Sequence, residues 1–190
     1  PKDKYDDHDF PAIEHACMTF ARSKGLDVAK TSLHIGKEGK TLLVVRFDRV
    51  YDAETDHFHR LPMLSALTLL DAEWKSAKHA DWHYAAFADE LYRRGAGEDR
   101  PELFKRMAYN ALVGNADDHP RNHAVIWQQG RWKLSPMYDV MPILGEGPAQ
   151  TLSMAVGRQG TAITRSNMLS ECQHFGLTAE AAAAILDEVA

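Results

Sequence analysis

At 190 residues, with 45% hydrophobic and 26% charged positions, the chain suits one ordinary globular domain with at most a small appended lobe. No apolar run approaches the roughly 18 residues that span a membrane, and a formal charge of −5 argues against broad, non-specific DNA binding. Cys17 and Cys172 are the only two cysteines and read as thiols rather than as a disulfide, which fits a cytoplasmic protein.

The opening "PKDKYDD" is neither a secretory leader nor a natural initiation sequence, and suggests a piece of a longer chain. Phe10-Pro11 leads into a helix bearing Ile13, Ala16, Cys17, Phe20 and Ala21, closed by Gly25. Leu33–Ile35 and Leu42–Phe47 are strand-like, and "GKEGK" between them signals a hairpin. Asp48–Arg60 lacks periodicity and reads as a polar connection. From Leu61 the chain reads as almost wholly helical to Val113, broken near His79–Asp81 and Gly95–Arg100. The last of these helices starts at Pro101, a residue suited to a first helical position, and stops at Gly114. Leu103, Phe104, Met107, Ala108, Ala111 and Leu112 recur on one of its faces. After a polar cluster, Ala124–Trp127 and Trp132–Leu134 flank Gln128-Gln129-Gly130-Arg131 as a second hairpin. Met141–Gln150 is a Gly/Pro loop, and Thr164–Phe175 and Thr178–Val189 are the closing helices, with Thr178 as N-cap. Trp74, Trp82, Tyr84, Phe87 and Tyr92 read as core aromatics.

The polar cluster holds the candidate chemistry. Asp117 is followed five positions later by Asn122 and, seventeen positions beyond that, by Asp139. Phosphoryl transfer from ATP uses one carboxylate to position or deprotonate the attacking hydroxyl, and an amide oxygen and a second carboxylate to hold magnesium. The order and the five-residue step match the catalytic and metal loops of protein kinases. The triplet alone also fits a polar turn whose Asx side chains cap backbone groups. The setting favours chemistry: a buried helix feeds the polar loop, and a hairpin returns the second carboxylate toward it. His119-x-x-x-His123 resembles a metal pair, but Pro120 breaks any helix that would align the two rings, and no third ligand stands at suitable spacing. The serines lack a Gly-x-Ser-x-Gly setting, and Gly145-Glu146-Gly147-Pro148 reads as a surface turn.

The runs "NALVGNADDHPRNHAVIW" and "WKLSPMYDVMP" resemble the HipA-like serine/threonine kinases, toxin components of bacterial toxin–antitoxin pairs. "LLVVRFDR" resembles their hinge strand, "PAIEHACMTFARSKGLDVAKTSL" the helix and strand before it, and "LSMAVGRQGTAITRSNMLSECQHFGL" their C-terminal helical segment. The resemblance covers nearly the whole chain. It implies an α+β, protein-kinase-like fold, with a small-lobe β remnant and hinge over residues 1–47 and a mainly helical catalytic lobe over residues 48–190. It implies Asp117 as catalytic aspartate, Asn122 and Asp139 as magnesium ligands, and Val45, Phe47, His119 and Tyr138 around the nucleotide. The implied cofactors are ATP and Mg²⁺. The implied partners are a protein substrate of the translation apparatus, typified by an aminoacyl-tRNA synthetase, and a DNA-binding antitoxin, with no membrane and no direct nucleic-acid contact by these residues.

Three departures bear on that implication. Val45 stands where the family usually has an acidic residue, and Met63, Leu64 and Ser65 replace a more polar segment. The family's phosphate loop and ATP-pairing lysine have no counterpart here, since Lys2 and Lys4 fall in the stretch that comes after the lysine strand. Glu14 matches the glutamate that pairs that lysine, or is simply a solvated residue early in its helix. The expectation is weak transfer by residues 1–190 alone. The alternative is a non-catalytic, kinase-shaped module that engages an antitoxin or another protein.

Overall fold

The computed structural model describes residues 8–37, 39–74, 81–144 and 147–190, so Lys2, Lys4 and the Gly145-Glu146 step lie outside the described residues. Helix α1 (Phe10–Ser23) begins as its sequence predicts: a proline occupies the first turn, and Asp9 accepts from Ala12 N at 3.2 Å. Gly25 turns the chain at φ +78°. Strands β1 (Thr31–Gly36) and β2 (Gly39–Val44) then pair antiparallel, Thr31 with Val44 through Gly36 with Gly39, and pack against α1. The predicted second strand ends at Val44, so Val45 and Phe47 lie in the connection beyond it, with Val45 N bonded to Lys30 O at 2.8 Å.

Two sequence expectations fail in the next stretch. Residues 48–60 are not an irregular connection but a hairpin, β3 (Arg49–Asp52) with β4 (His57–Arg60). Its turn is built by Asp52, which accepts from Glu54 N at 2.9 Å and Thr55 Oγ1 at 2.8 Å, and by Asp56 at φ +54°. Tyr51 and Phe58 pair across it at 5.2 Å. Most of the hairpin is exposed, so no apolar alternation announced it. Nor is the run from Leu61 helical throughout: β5 (Met63–Ser65) is a strand that pairs with β6 (Ala124–Gln128), and β6 pairs with β7 (Arg131–Leu134). A strand edge offers a row of unpaired amides and carbonyls, and segment 62–65 satisfies it, with Pro62 O accepting from Trp127 N at 2.9 Å. Only one helical turn comes next, α2 (Ala66–Leu69), capped by Ser65.

The core lies among the remaining helices. Helix α3 (Tyr84–Arg93) buries Tyr84, Phe87 and Leu91, and α4 (Arg100–Val113) buries Leu103, Phe104, Met107 and Tyr109. Helix α6 (Ala179–Val189), capped by Thr178 as expected, packs on α4. The predicted helix over 164–175 is divided into α5 (Arg165–Leu169) and a 3₁₀ turn at Cys172–Phe175. That turn places Phe175 edge-on to Phe104 at 5.2 Å, a contact a continuous helix would not aim. Of the five aromatics read as core, Trp82, Tyr84 and Phe87 are buried, whereas Trp74 is 37% and Tyr92 65% exposed. Cys17 and Cys172 are free thiols. Among the described residues, no helix is long and apolar enough to cross a membrane.

Candidate active site

Helix α4 ends where Gly114 adopts φ +71°, and its N–H and that of Asn115 both return to Asn110 O. The chain then folds into the polar loop 115–123 over a buried polar network. Tyr84 Oη donates to Asp118 Oδ2, and His123 Nε2 lies 2.9 Å from the same oxygen. Asn110 Nδ2 donates to Tyr84 Oη at 3.3 Å, and Asn115 Nδ2 to Asn110 Oδ1 at 3.2 Å. Burial, reinforced by the Asp118 charge, raises the Tyr84 hydroxyl pKa well above its ordinary value. Sequence reasoning singled out none of these groups as a loop foundation. An Asp and a His five apart carry no signal until the tyrosine of α3 is known to lie beneath them.

The β6–β7 turn places Gln129 at φ +54° and Gly130 at φ +78°, the paired left-handed conformation that reverses a hairpin in two residues. Beyond it, Leu134 N donates to Asp99 Oδ2 at 2.8 Å. Arg106, only 1% exposed, donates to Ser135 O at 2.7 Å and Asp27 O at 3.2 Å while pairing with Glu102 at 3.0 Å. Met137 N bonds Asp27 O at 2.8 Å, and Ala29 N bonds Met137 O at 2.9 Å. These bonds lock the segment that leads to Tyr138 and Asp139 onto the segment just past α1. Arg106 is a second structural residue that its own sequence context did not reveal.

Asp117, Asn122 and Asp139 all line one cleft of about 330 Å³, together with Asn115, Phe10 and the 141–144 strap. A second cleft of about 350 Å³ is lined by Val45, Phe47, Tyr138 and Glu14, and it also includes Asp139. The Tyr138 ring packs 5.5 Å from Phe47, and its hydroxyl donates to Arg121 O at 2.7 Å. Six of the seven candidate residues therefore fall on two clefts that share Asp139. The seventh, His119, lines neither. Its ring stands edge-on to Trp74 at 4.9 Å and to Trp82 at 6.4 Å, with Nδ1 buried and without a hydrogen-bond partner among the described residues.

The electrostatics of the clefts are negative. Asp139 keeps exposed surface, yet enough protein surrounds its carboxyl that burial raises its pKa. His119 draws that pKa down, and the charges of Asp117 and Asp118 push it up. Burial, and then Asp139, raises the carboxyl of half-buried Glu14. Among the described residues, no lysine lines either cleft, and the one arginine there, Arg46, is bidentate to Asp48 at 2.7 Å on both arms. Neither the Asn122 amide nor the Asp139 carboxylate makes a side-chain hydrogen bond to the described residues. Such free hard oxygens on one cleft wall suit magnesium, which takes one or two protein oxygens beside phosphates and waters. No group of three or more His, Cys, Asp or Glu side chains among the described residues could hold a metal by itself.

Comparison with known proteins agrees with this architecture. The model of the HipA-like C-terminal domain matches residues 2–190. A protein of Sinorhizobium fredii named "Putative kinase Y4mE" is 27% identical over 152 residues, which cover 76% of this chain and 35% of that protein. A chain of the Shewanella oneidensis MR-1 toxin–antitoxin complex of HipA, HipB and operator DNA superposes with a TM-score of 0.79 at 20% identity. That match covers 98% of this chain and 47% of the other. The Helicobacter pylori proinflammatory kinase CtkA superposes with a TM-score of 0.54 at 17% identity, over 72% of this chain and 49% of its own. The chain thus spans about a third of the length of its Sinorhizobium relative and about half of either structural neighbour. The two structures share its kinase-like α+β fold. By the match that runs over residues 2–190, the chain belongs to the family of HipA-like C-terminal domains.

Proposed function

We propose that these residues form the catalytic part of a protein kinase that transfers the γ-phosphoryl group of ATP to a serine or threonine of a protein. The observation that carries this reading is the meeting of two clefts at Asp139: one with Asp117 and Asn122, the other with Val45, Phe47 and Tyr138. In this reading residues 1–47 belong to a small lobe and residues 48–190 to the catalytic lobe. The main chain at Val45–Phe47 meets the adenine, and Tyr138 packs beside it. Asn122 and Asp139 would hold magnesium, which would offset phosphate charge when bound. Asp117, which has no ion-pair partner among the described residues, accepts the proton of the attacking hydroxyl. The new bond joins the acceptor oxygen to the γ-phosphorus, the bond from that phosphorus to the β-bridging oxygen breaks, and ADP leaves.

The family membership and the Shewanella complex support a toxin–antitoxin setting with a DNA-binding antitoxin as partner; a cytoplasmic location and a translation protein as substrate rest on the sequence resemblance alone. A second reading, a non-catalytic module that engages a protein partner, is favoured by the carboxylates of Glu14, Asp117 and Asp139 and by the lack of a cleft lysine among the described residues. The test is radiolabelled phosphotransfer by the full-length protein and its Asp117→Asn variant, with ATP affinity measured in parallel. The kinase reading expects turnover to fall by about three orders of magnitude while ATP affinity stays within a few-fold. Turnover near the unmodified level in Asp117→Asn removes that residue from the reaction, and no ATP binding by the full-length protein leaves the module reading.

A further inference from the structure

The loop between Asp117 and Asn122 is gripped from its outer side by a segment that the proposed reaction does not use. Ser65 pairs with Ala124, Ala66 N donates to His123 O at 2.8 Å, and Leu67 N donates to Pro120 O at 3.1 Å. Past α2 the chain does not run off into solvent. Ala72 N bonds back to Leu67 O at 3.2 Å, and Asp71 adopts φ +50°. Asp is one of the few non-glycine residues that adopt that conformation routinely, and the reversal carries the chain on to Trp74, which lies against the loop. The guanidinium of Arg121 lies 3.7 Å from the centre of its ring, and His119 stands edge-on to the same ring at 4.9 Å. Trp82 stacks on the Trp74 ring at 5.4 Å.

We infer that Trp74 is a positioning residue for the phosphoryl transfer proposed above, acting through Arg121 and His119 to set the spacing of Asp117 and Asn122; the inference rests on that reading. Arg121 immediately precedes Asn122, and His119 is two residues from Asp117. Arg121 is held at both ends: its side chain lies on Trp74, and its carbonyl accepts from Tyr138, the residue before Asp139. The stack therefore ties the wall that carries Asp117 and Asn122 to the segment that carries Asp139. Among the described residues, Arg121 has no carboxylate partner, so the aromatic face is its only side-chain anchor. Trp74 is 37% exposed and does not complete the core, which separates it from a residue kept for stability alone.

The test uses the full-length protein with Trp74→Ala, Trp74→Phe, Arg121→Ala and the Trp74→Ala/Arg121→Ala pair. Displacing a catalytic group by about 1 Å costs about 100-fold, so Trp74→Ala should lower kcat by about 10- to 100-fold. KM for ATP and for the acceptor should stay within about twofold, because Trp74 lines neither cleft. Trp74→Phe keeps a face for the guanidinium and should recover most of the loss. The paired variant should be little worse than Trp74→Ala, because both changes remove one contact. Amide hydrogen exchange of the nucleotide-free protein gives a readout independent of activity. Residues 117–123 should exchange faster in Trp74→Ala and normally in Trp74→Phe, with α4 and α6 unchanged. Unaltered loop exchange overturns the inference, as does a loss confined to acceptor KM, which would make Trp74 a docking residue. If the unmodified protein transfers no phosphate, the kinase reading fails and the positioning role fails with it, whatever the exchange shows.

Discussion

Asp139 carries its carboxylate on a backbone in the left-handed region, φ +58°, and replacing it separates two effects that structure alone superimposes. Asn tolerates that conformation about as well as Asp, whereas alanine does not. The Asp139→Ala variant should therefore be less stable than Asp139→Asn by about 1 kcal/mol, which for a domain of this size is about 2–4 °C in Tm. The charge acts the other way. Burial and the nearby Asp117 and Asp118 charges raise the Asp139 carboxyl above the ordinary value of 3.8. A carboxyl raised in the folded state binds its proton more tightly there than in the unfolded chain. Stability is then greatest below 3.8 and is lost as pH rises through the folded value, so the whole penalty stands at pH 7. Asp139→Asn removes it. Metal-free, nucleotide-free thermal melts should show Asp139→Asn above the unmodified protein at pH 7, with the gap closing as pH falls toward 4 and below. An Asn variant that melts below the unmodified protein at pH 7, or a gap indifferent to pH, would refute the electrostatic reasoning. Equal melting of the Ala and Asn variants would refute the backbone argument.

The buried network gives a second expectation. Asp118→Ala leaves Tyr84 Oη and His123 Nε2 without their shared acceptor and should cost about 2–5 kcal/mol in denaturant unfolding; a loss below about 1 kcal/mol would mean the network is dispensable. Gly157→Ala would set a Cβ 2.0 Å from Asn167 O, a backbone atom that cannot yield, so it should cost about 3 kcal/mol or more and lower soluble expression. Normal melting of that variant would show that the 157–170 contact opens freely. Finally, residues 1–190 alone should transfer phosphate poorly and bind ATP weakly, because Glu14, Asp117 and Asp139 face the clefts and no lysine among the described residues does. Activity and ATP affinity equal to those of the full-length protein would mean that the balancing charge comes from within these residues.

The features legible directly from the chain were written over short distances. Helix α1 with Pro11 and Gly25, α4 with Pro101 and Gly114, the β6–β7 turn at Gln129-Gly130, and the Thr178 cap of α6 each depend on side chains within a turn of the backbone they govern. The Asp117-to-Asn122 step is equally local, which is why the loop stood out before its surroundings were known. The features that stayed hidden depend on partners far along the chain. Strand β5 exists because β6, some sixty residues later, offers it an edge. Arg106 reads as a polar interruption of a helix until Asp27, 79 residues away, and Ser135 supply its acceptors. The Asp118 carboxylate meets Tyr84 across 34 residues. Trp74 departs from its core expectation because residue type alone does not say where a ring lies, whereas its exposure and its neighbours depend on the path the chain takes beyond Asp71. Local sequence selects backbone conformation, but burial and the choice of partner for a polar or aromatic group depend on where the rest of the chain comes to lie.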